Sequence, residues 1–285
     1  MILITGASGH VGRRIAELLS KDELPMRLMA HESRNVPLLP HAEYVIADYG
    51  DITSLDRAMK GIERAFIVSG HARPGERAKL HRNAFQAAAR AGVKHLVYLS
   101  FQNASPHSKF PDCRDHHQSE QYLAETGVPY TSLRDNTYMD MLSVMLNAED
   151  MIRGPAGNGR AAFVSREDAA QVAAAVLKDP QKATGTFNVT GPEAISLAEA
   201  AERLSKICGR VIRYQNETVE EARTWRSQVA EEWQVDTWIG SYLAIAAGEV
   251  EQVSDTVQLL TGREPMNLEA YFNSYYPLVV KLKAA

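Results

Sequence analysis

Three glycines near the N terminus constrain this chain more than any other feature. Gly6, Gly9 and Gly12 are spaced as T-G-x-x-G-x-x-G and follow a short apolar run at residues 2–4. The run predicts a buried parallel strand, and apolar residues at helical spacing come after the glycines. The motif therefore lies at a strand-to-helix junction, where residues without a side chain allow a tight turn and a close approach of another molecule to the backbone.

A helix that begins at such a junction presents unpaired backbone N–H groups and the positive end of its dipole. In the fold that carries this motif, these groups bind the pyrophosphate of a dinucleotide. We therefore predict a dinucleotide site in which Ser8, His10 and Val11 join the three glycines. A turn in which the glycines have a structural role alone is the alternative.

The composition is that of an ordinary globular protein, with 23% charged and 45% apolar residues among 285. A net charge of -4, without a dense block of Lys or Arg, argues against direct binding to nucleic acid or to a membrane surface. Cys113 and Cys208 are far apart in sequence, which favours a reducing compartment over a disulfide framework. Since no signal peptide or membrane-spanning stretch is recognisable, we expect a cytoplasmic protein.

Strand and helix patterns alternate over the first half of the chain. Further strands are predicted at residues 26–30, 43–47, 65–68, 95–100 and 128–134, with long helices at 76–91 and 115–125. This alternation predicts an α/β fold with a doubly wound parallel sheet, the Rossmann arrangement. We expect it to span residues 1–150, and we expect a smaller, mainly helical, substrate-binding lobe over 151–285, of which 160–190 pack back on the sheet. A helix is predicted at 139–148, and the glycine-rich loop at 154–159 is interpreted as a hairpin or flap. Further helices are predicted at 197–208 and 219–226.

The end of the second strand bears on the choice of cofactor. An acidic residue there binds the ribose hydroxyls of NAD, whereas a basic residue binds the additional phosphate of NADP. Glu32 falls one position late for the first role, while His31 and Arg34 are suited to hold a phosphate. NADP is therefore favoured, NAD remains an alternative, and a solvated charged loop is a third interpretation.

Residues at the carboxyl ends of other strands are further candidates, because parallel sheets bind ligands at this edge. Asp48 and Tyr49 follow the third strand, Ser69 and Gly70 follow the fourth, and Ser100 ends the fifth. We expect all five to contact the cofactor. Asp51, in contrast, is placed to cap the next helix.

With these motifs in view, the chain resembles the NmrA-like group of atypical short-chain dehydrogenases/reductases, which includes bacterial type 2 NAD(P)H:quinone oxidoreductases and triphenylmethane reductases. The resemblance covers nearly the whole chain. It rests on the glycine motif and on segments 47–51, 91–98, 127–131, 163–170, 185–191 and 260–265. It implies a dinucleotide held by the glycine loop and a substrate pocket between the sheet and the C-terminal lobe. Members that use NADP have a basic residue after the second strand, and this position is His31 here.

The chain lacks the Tyr-x-x-x-Lys pair with which ordinary short-chain dehydrogenases protonate a substrate oxygen, because no tyrosine is followed four residues later by lysine. A predicted helix instead carries His116 and Glu120 on one face. The resembling quinone and dye reductases have a His and a Glu at the aligned positions, so we predict that these two residues are catalytic. A histidine with a pKa near neutrality could donate a proton. A pair on the helix surface is the alternative.

Asn136 and Tyr138 correspond to positions that line the substrate pocket in the resembling family, although a turn residue and a packing ring are the alternative roles. The cluster Asp112, Cys113, Asp115 and His117 lacks a standard ligand spacing, so we expect no metal site. The sequence predicts an NAD(P)H-dependent oxidoreductase that reduces a quinone-like or conjugated aromatic small molecule, and it is compatible with a homo-oligomer. The rival hypothesis is a non-catalytic dinucleotide-binding redox sensor that regulates a transcription factor.

Overall fold

The computed structural model describes residues 1–32 and 35–274. Their strands are β1 (Ile2–Ile4), β2 (Met26–Ala30), β3 (Ala42–Ile46), β4 (Arg64–Ile67), β5 (His95–Phe101), β6 (Tyr130–Asp135), β7 (Met151–Gly154), β8 (Arg160–Ala161), β9 (Gly185–Val189), β10 (Ile195–Ser196) and β11 (Arg213–Asn216). Their helices are α1 (His10–Ser20), α2 (Ile52–Met59), α3 (Arg77–Arg90), α4 (Pro111–Glu125), α5 (Met141–Met145), α6 (Arg166–Lys178), α7 (Leu197–Cys208), α8 (Val219–Arg226), α9 (Glu232–Ala246), α10 (Thr256–Thr261) and α11 (Leu268–Ser274).

Seven of these strands form one parallel sheet in the order β3-β2-β1-β4-β5-β6-β9. The chain runs outward from β1 to β3, returns to β4 beside β1, and then proceeds in the opposite direction. This reversal between β1 and β4 is the topological switch point at which open α/β sheets form their ligand crevice. The predicted fold class is confirmed.

Helices cover both faces of the sheet because its strands are apolar on both sides. Ile2 and Ile4 face α1 and α6, whose buried side chains include Ile15 and several alanines of α6. Leu3 faces the opposite layer of α2 and α3. The apolar runs read from the sequence are therefore buried on both faces, as parallel strands are.

The segment after residue 150 contributes to both parts of the molecule. The strand β9 pairs with β6 as the last strand of the large sheet, and α6 packs against α1. A separate apolar cluster, built around Ile152, Leu204, Tyr242 and Phe272, forms the core of the remaining C-terminal elements. The division of the chain at residue 150 into two domains stays a prediction.

The predicted hairpin at residues 154–159 is wrong. The flanking strands pair with different partners, since β7 is parallel to β11 and β8 is antiparallel to β10. Two glycines of this loop allow α9 to approach closely: a Cβ on Gly154 would lie 2.4 Å from the Tyr242 ring, and one on Gly159 would lie 2.1 Å from the Ile245 carbonyl oxygen. The glycines there reflect packing against α9.

Two helices differ in length from the prediction. The helix α4 begins at Pro111, four residues earlier than expected, with proline in the first turn, where its missing N–H costs nothing. The helix α5 is only five residues long. None of the helices in the part of the chain that the structure describes has the length and apolar character to cross a membrane.

Candidate active site

The three glycines of the N-terminal loop have different roles. Gly6 has a φ of +61°, and a Cβ there would lie 2.5 Å from Val68 Cγ1. A Cβ on Gly12 would lie 2.4 Å from the Gly6 carbonyl oxygen, so this glycine allows α1 to pack on the loop. A Cβ on Gly9 would come no closer than 3.4 Å to another residue, again at the Gly6 oxygen. The protein therefore tolerates a side chain at Gly9, and the space beside it is open.

The N terminus of α1 borders this open space. Gly9 is its N-cap residue and, being glycine, provides no side chain to cap the helix. Ser8, Gly9 and His10 are exposed, whereas Val11 is buried under the first turn. Backbone N–H groups at an uncapped N terminus, together with the room left by Gly9, suit the pyrophosphate of a dinucleotide. The residues present thus fit the predicted cofactor.

Two predicted adenosine-side residues meet at the ends of β2 and β3. His31 Nδ1 lies 3.1 Å from Asp48 Oδ2, and both side chains are exposed. The other Asp48 oxygen accepts a hydrogen bond of 2.6 Å from the Gly50 N–H. Asp51 caps α2 by accepting from the Thr53 N–H, as predicted. Arg34 lies outside the described residues.

Tyr49 links the ends of β1 and β4. Its hydroxyl donates to the Val68 carbonyl oxygen at 3.0 Å and lies 2.7 Å from Thr5 Oγ1. Burial raises the pKa of Tyr49 above its ordinary value. Ser69 and Gly70 follow this junction and are half-buried. These contacts hold the strand ends on either side of the switch point together.

A hydrogen-bonded network leads from Gly70 to His116. The Gly70 N–H donates to His81 Nε2 at 3.1 Å, so the proton of the neutral His81 ring is on Nδ1. That nitrogen lies 2.9 Å from Ser119 Oγ and 3.0 Å from the Tyr98 hydroxyl. The Ser119 hydroxyl donates to the Asp115 carbonyl oxygen, so it accepts from His81.

The direction of this network assigns the tautomer of His116. The Tyr98 hydroxyl lies 2.8 Å from His116 Nδ1. Because His81 Nδ1 already carries a proton, Tyr98 donates its own proton to His116 Nδ1. The neutral His116 ring therefore carries its hydrogen on Nε2, and the described residues provide no hydrogen-bond acceptor for it.

Burial keeps the imidazole rings of His116 and His81 neutral. Burial lowers the pKa of His116 well below its ordinary value, and the nearby Arg77 guanidinium acts in the same direction. Burial also lowers the pKa of His81, to about 3. The sequence suggested a His116 with a pKa near neutrality, but the structure buries the ring and disfavours its charged form. The surface-pair alternative is excluded by the same burial.

Sequence reasoning missed the roles of His81 and Tyr98. Tyr98 lies in the core, within the strand predicted at 95–100, and its hydroxyl orients His116. His81 occupies the buried face of α3 together with Ala78 and Phe85. The sequence offered one signal for His81, a histidine on the apolar face of a predicted helix. This signal did not indicate that His81 contacts Tyr98.

Glu120 forms its hydrogen bonds with Arg134, Ser100 and Ser132 and not with His116. Arg134 binds its carboxylate with both ends of the guanidinium, Nε to Oε1 at 2.9 Å and Nη2 to Oε2 at 2.5 Å. The hydroxyls of Ser100 and Ser132 each donate to Oε1 at 2.7 Å. Glu120 thus ties α4 to β5 and β6, and the Ser100 hydroxyl is turned toward it. No hydrogen bond between Glu120 and His116 is present.

Asn136 and Tyr138 both have protein partners. The Asn136 amide is buried and donates to Gln102 Oε1 at 2.6 Å and to the Val250 carbonyl oxygen at 2.9 Å. The Tyr138 hydroxyl donates to the Asp135 carboxylate, and the Arg166 guanidinium lies 4.0 Å above the Tyr138 ring. Contact of these two residues with a substrate stays a prediction.

The acidic residues at the start of α4 are also used within the protein. Asp112 pairs with the Arg77 guanidinium at 2.8 Å, and Asp115 accepts from the Gly75 N–H at 2.9 Å. Within residues 1–32 and 35–274, no group of three or more His, Cys, Asp and Glu side chains is arranged to hold a metal ion.

An apolar cavity of about 470 Å³ lies between α5, β7, α8 and α9. Its apolar walls are formed by Met141, Val144, Met145, Trp225, Trp238 and Tyr242. Phe101 and Met145 both pack against the apolar cluster that contains Tyr242, and the Phe101 ring centroid lies 6.4 Å from that of His116, with the planes at 29°.

Comparison with known proteins places this geometry in a family. A model of an NAD(P)H-binding family matches residues 6–180. The chain is 33% identical to (4-alkanoyl-5-oxo-2,5-dihydrofuran-3-yl)methyl phosphate reductase of Streptomyces griseus, over 92% of this chain and 93% of that protein. It is 32% identical to quinone oxidoreductase 2 of Escherichia coli, over 76% and 77% of the two chains.

Two solved structures are similar over nearly the whole chain. NADPH-dependent quinone oxidoreductase of Escherichia coli, in complex with NADPH, superposes with a TM-score of 0.87 at 27% identity, covering 97% of this chain and 100% of that one. Triphenylmethane reductase of Citrobacter sp., in complex with NADP(H), has a TM-score of 0.84 at 25% identity, covering 99% and 100%. The resemblance inferred from the sequence is confirmed: the chain belongs to the NAD(P)H-binding family and, within it, to the NmrA-like oxidoreductases.

Proposed function

We propose that this protein reduces a quinone-like or conjugated aromatic small molecule, with NADPH as the preferred cofactor and NADH as the alternative. One observation carries the proposal: a buried, neutral His116 whose Nε2–H is available beside the carboxyl edge of the sheet. The quinone and dye reductases that the chain resembles support the same reaction class. When bound, the cofactor supplies the hydride.

The cofactor site in this proposal extends along the switch point. The backbone of Gly6, Gly9 and Gly12, with Ser8, His10 and Val11, binds the pyrophosphate through the N terminus of α1. His31, which Asp48 orients, binds the adenosine phosphate in this proposal. Arg34, outside the described residues, is the second predicted ligand of that phosphate. Tyr49, Ser69, Gly70 and Ser100 border the rest of the crevice at the strand ends.

His116 acts on the acceptor as a hydrogen-bond donor. Its Nε2–H stabilises the acceptor atom on which negative charge develops, in the way that a preorganised neutral imidazole does in other enzymes. A conjugated acceptor spreads this charge over several atoms, so it needs less help than an isolated carbonyl. The absence of Tyr-x-x-x-Lys is consistent with this class of acceptor. Glu120 is a positioning residue here, because it fixes the helix that carries His116.

The apolar cavity is the proposed acceptor pocket. It adjoins α5, which begins three residues after Tyr138. Phe101 packs beside His116 and against the apolar cluster to which Tyr242 of the cavity wall belongs. The pocket thus belongs to the substrate-binding lobe that we predict over residues 151–285 and to the segment preceding it. We further propose that the protein is cytoplasmic and has no nucleic-acid or membrane partner. The proposal is compatible with a homo-oligomer.

The decisive assay mixes the purified protein with NADPH or NADH and a panel of quinones and conjugated dyes, and follows the absorbance of the reduced cofactor. We expect cofactor oxidation that requires both the protein and an acceptor, and that is faster with NADPH. Tight cofactor binding without turnover on any acceptor would contradict the proposal and favour the redox-sensor hypothesis.

A further inference from the structure

The wall of the apolar cavity carries a surplus of positive charge. Arg153 and Arg226 both line it, and both pair with the carboxylate of Glu217. Arg153 Nη2 lies 2.6 Å from Glu217 Oε1, and Arg226 Nη1 lies 3.2 Å from Oε2. Among the residues that the structure describes, neither guanidinium has a second carboxylate partner. Two cations therefore share one anion at this site.

Glu217 and Arg226 are buried and hydrogen-bonded to other groups of the protein. The Glu217 side chain is completely buried and accepts a further hydrogen bond from Trp225 Nε1 at 3.1 Å. Arg226, 3% exposed, donates to the carbonyl oxygens of Ala222 and Arg153 and lies 4.1 Å from the Trp225 ring. These contacts make the pair part of the cavity's framework.

Arg153 differs from Arg226 in its exposure and in its hydrogen bonding. Its side chain is 33% exposed, and its buried Nε–H has no acceptor among the described residues. A buried donor without a partner is uncommon in folded proteins, and an oxygen atom of a ligand would satisfy it after a turn of the partly exposed side chain. The unused donor and the surplus charge thus point to the same kind of ligand, an anion.

We propose that this cavity takes acceptors that combine a planar conjugated ring system with an anionic substituent, and that Arg153 selects them by binding the anionic group. The rings of Trp225, Trp238 and Tyr242 provide faces for the conjugated part. A volume of about 470 Å³ is in the range of small-molecule pockets. The assignment of this ligand as an acceptor rests on the proposed function, whereas its charge and its site do not.

The charge selection is testable without turnover. The fluorescent probe 8-anilinonaphthalene-1-sulfonate and its uncharged analogue N-phenyl-1-naphthylamine share the aromatic framework and differ in the sulfonate. We expect the wild-type protein to bind the sulfonate about tenfold more tightly, as a hydrogen-bonded charge pair provides. Energy transfer from tryptophan to the bound probe should fall in Trp238→Phe, because Trp238 lines the cavity.

Three arginine variants isolate the selecting residue. In Arg153→Gln the ratio of the two probe affinities should fall to about one, and in Arg153→Lys, which keeps the charge, a preference for the sulfonate should persist. Arg90→Gln, which removes an exposed arginine that pairs with Asp56 and does not line the cavity, should retain the wild-type ratio. A ratio near one in the wild type, or a wild-type ratio in Arg153→Gln, would overturn the proposal.

Turnover separates this inference from the proposed function. With 1,4-naphthoquinone-2-sulfonate and 1,4-naphthoquinone as acceptors, we expect kcat/KM to favour the sulfonate in the wild type and this preference to be lost in Arg153→Gln. Reduction of both quinones without a charge preference would refute the role of Arg153 and leave the reductase intact. Arg153-dependent probe binding without reduction of any acceptor would refute the reductase and leave the anion site.

Discussion

Gly9 is the loop glycine whose side-chain position is open to solvent. A Cβ there would meet no atom of another residue closer than 3.4 Å, whereas one at Gly12 would overlap the Gly6 backbone. We therefore expect Gly9→Val to fold and to lose cofactor binding, because the side chain would occupy the space that the phosphates need. Isothermal titration with NADPH and NADH, beside a thermal melt, measures both effects.

The matched control is Gly12→Ala, at the other end of the same turn. Overpacking of this kind costs about 1–3 kcal/mol, so this variant should lose stability as well as affinity. A folded Gly9→Val protein that binds either cofactor as tightly as the wild type would remove the glycine loop from the binding site.

His116 is held neutral by its surroundings, which leads to a prediction about pH. We expect His116→Ala to lower kcat by about ten- to a hundredfold while cofactor affinity changes much less, since one preorganised donor is lost. Burial lowers the pKa of His116 well below its ordinary value, so wild-type kcat should show no histidine titration between about pH 6 and pH 8.

His117, the half-buried neighbour of His116, provides the control. His117→Ala should retain wild-type kcat. Equal rates in the wild type and in His116→Ala would exclude His116 from the mechanism, and a wild-type rate that follows a group titrating near 6.5 would show that the imidazole is charged during turnover.

The helix α4 is held on the sheet by Glu120, and its stability should depend on this one carboxylate. Glu120 accepts hydrogen bonds from Ser100 and Ser132 and pairs with both ends of the Arg134 guanidinium, with little of its side chain exposed. Glu120→Gln leaves the Arg134 charge unpaired in a largely buried place. We expect a loss of about 3 kcal/mol in the free energy of unfolding, measured by urea denaturation.

Glu125, at the exposed end of α4, is the matched control for this experiment. Glu125→Gln should change stability by less than about 0.5 kcal/mol. Equal stability of the Glu120→Gln and Glu125→Gln proteins would show that α4 does not depend on this anchor.

Global stability should depend on pH through Asp135. Burial raises the pKa of this carboxyl group to about 7, whereas an unfolded aspartate titrates near 3.8. The native state thus retains a proton that the unfolded state loses, so this contribution is full below the unfolded pKa and disappears as pH rises to about 7. At 1.4 kcal/mol per pKa unit, the contribution amounts to at most roughly 4 kcal/mol.

Asp135→Asn provides the measurement, because asparagine does not ionise and its oxygen can still accept from Tyr138. The wild type minus Asp135→Asn difference in unfolding free energy should fall between about pH 4 and about pH 7. The buried His81 and His116 destabilise the protein as pH falls below about 6.5, in the opposite direction, but they are common to both proteins. A difference that is independent of pH would place the Asp135 pKa at its ordinary value.

Much of the architecture was predictable because it depends on local patterns. The apolar runs of the first six strands mark a sheet buried on both faces, and the helices at 197–208 and 219–226 have the predicted bounds. The glycine spacing indicated the turn before α1, because a positive φ at Gly6 and the close packing of Gly12 are requirements of the backbone itself. These are properties that neighbouring residues impose on one another.

Other features depend on contacts between distant segments, and the folded chain alone reveals them. The loop at 154–159 contains turn residues, yet its flanking strands pair elsewhere and α9 packs against its glycines. The tautomer of His116 follows from Tyr98 and His81, which lie on other elements, and its pKa follows from burial. Local spacing thus specified the strands, the helices and the phosphate-binding turn. The neutral state of His116 and the positive charge beside the cavity depend instead on side chains that are distant in sequence and that together exclude water.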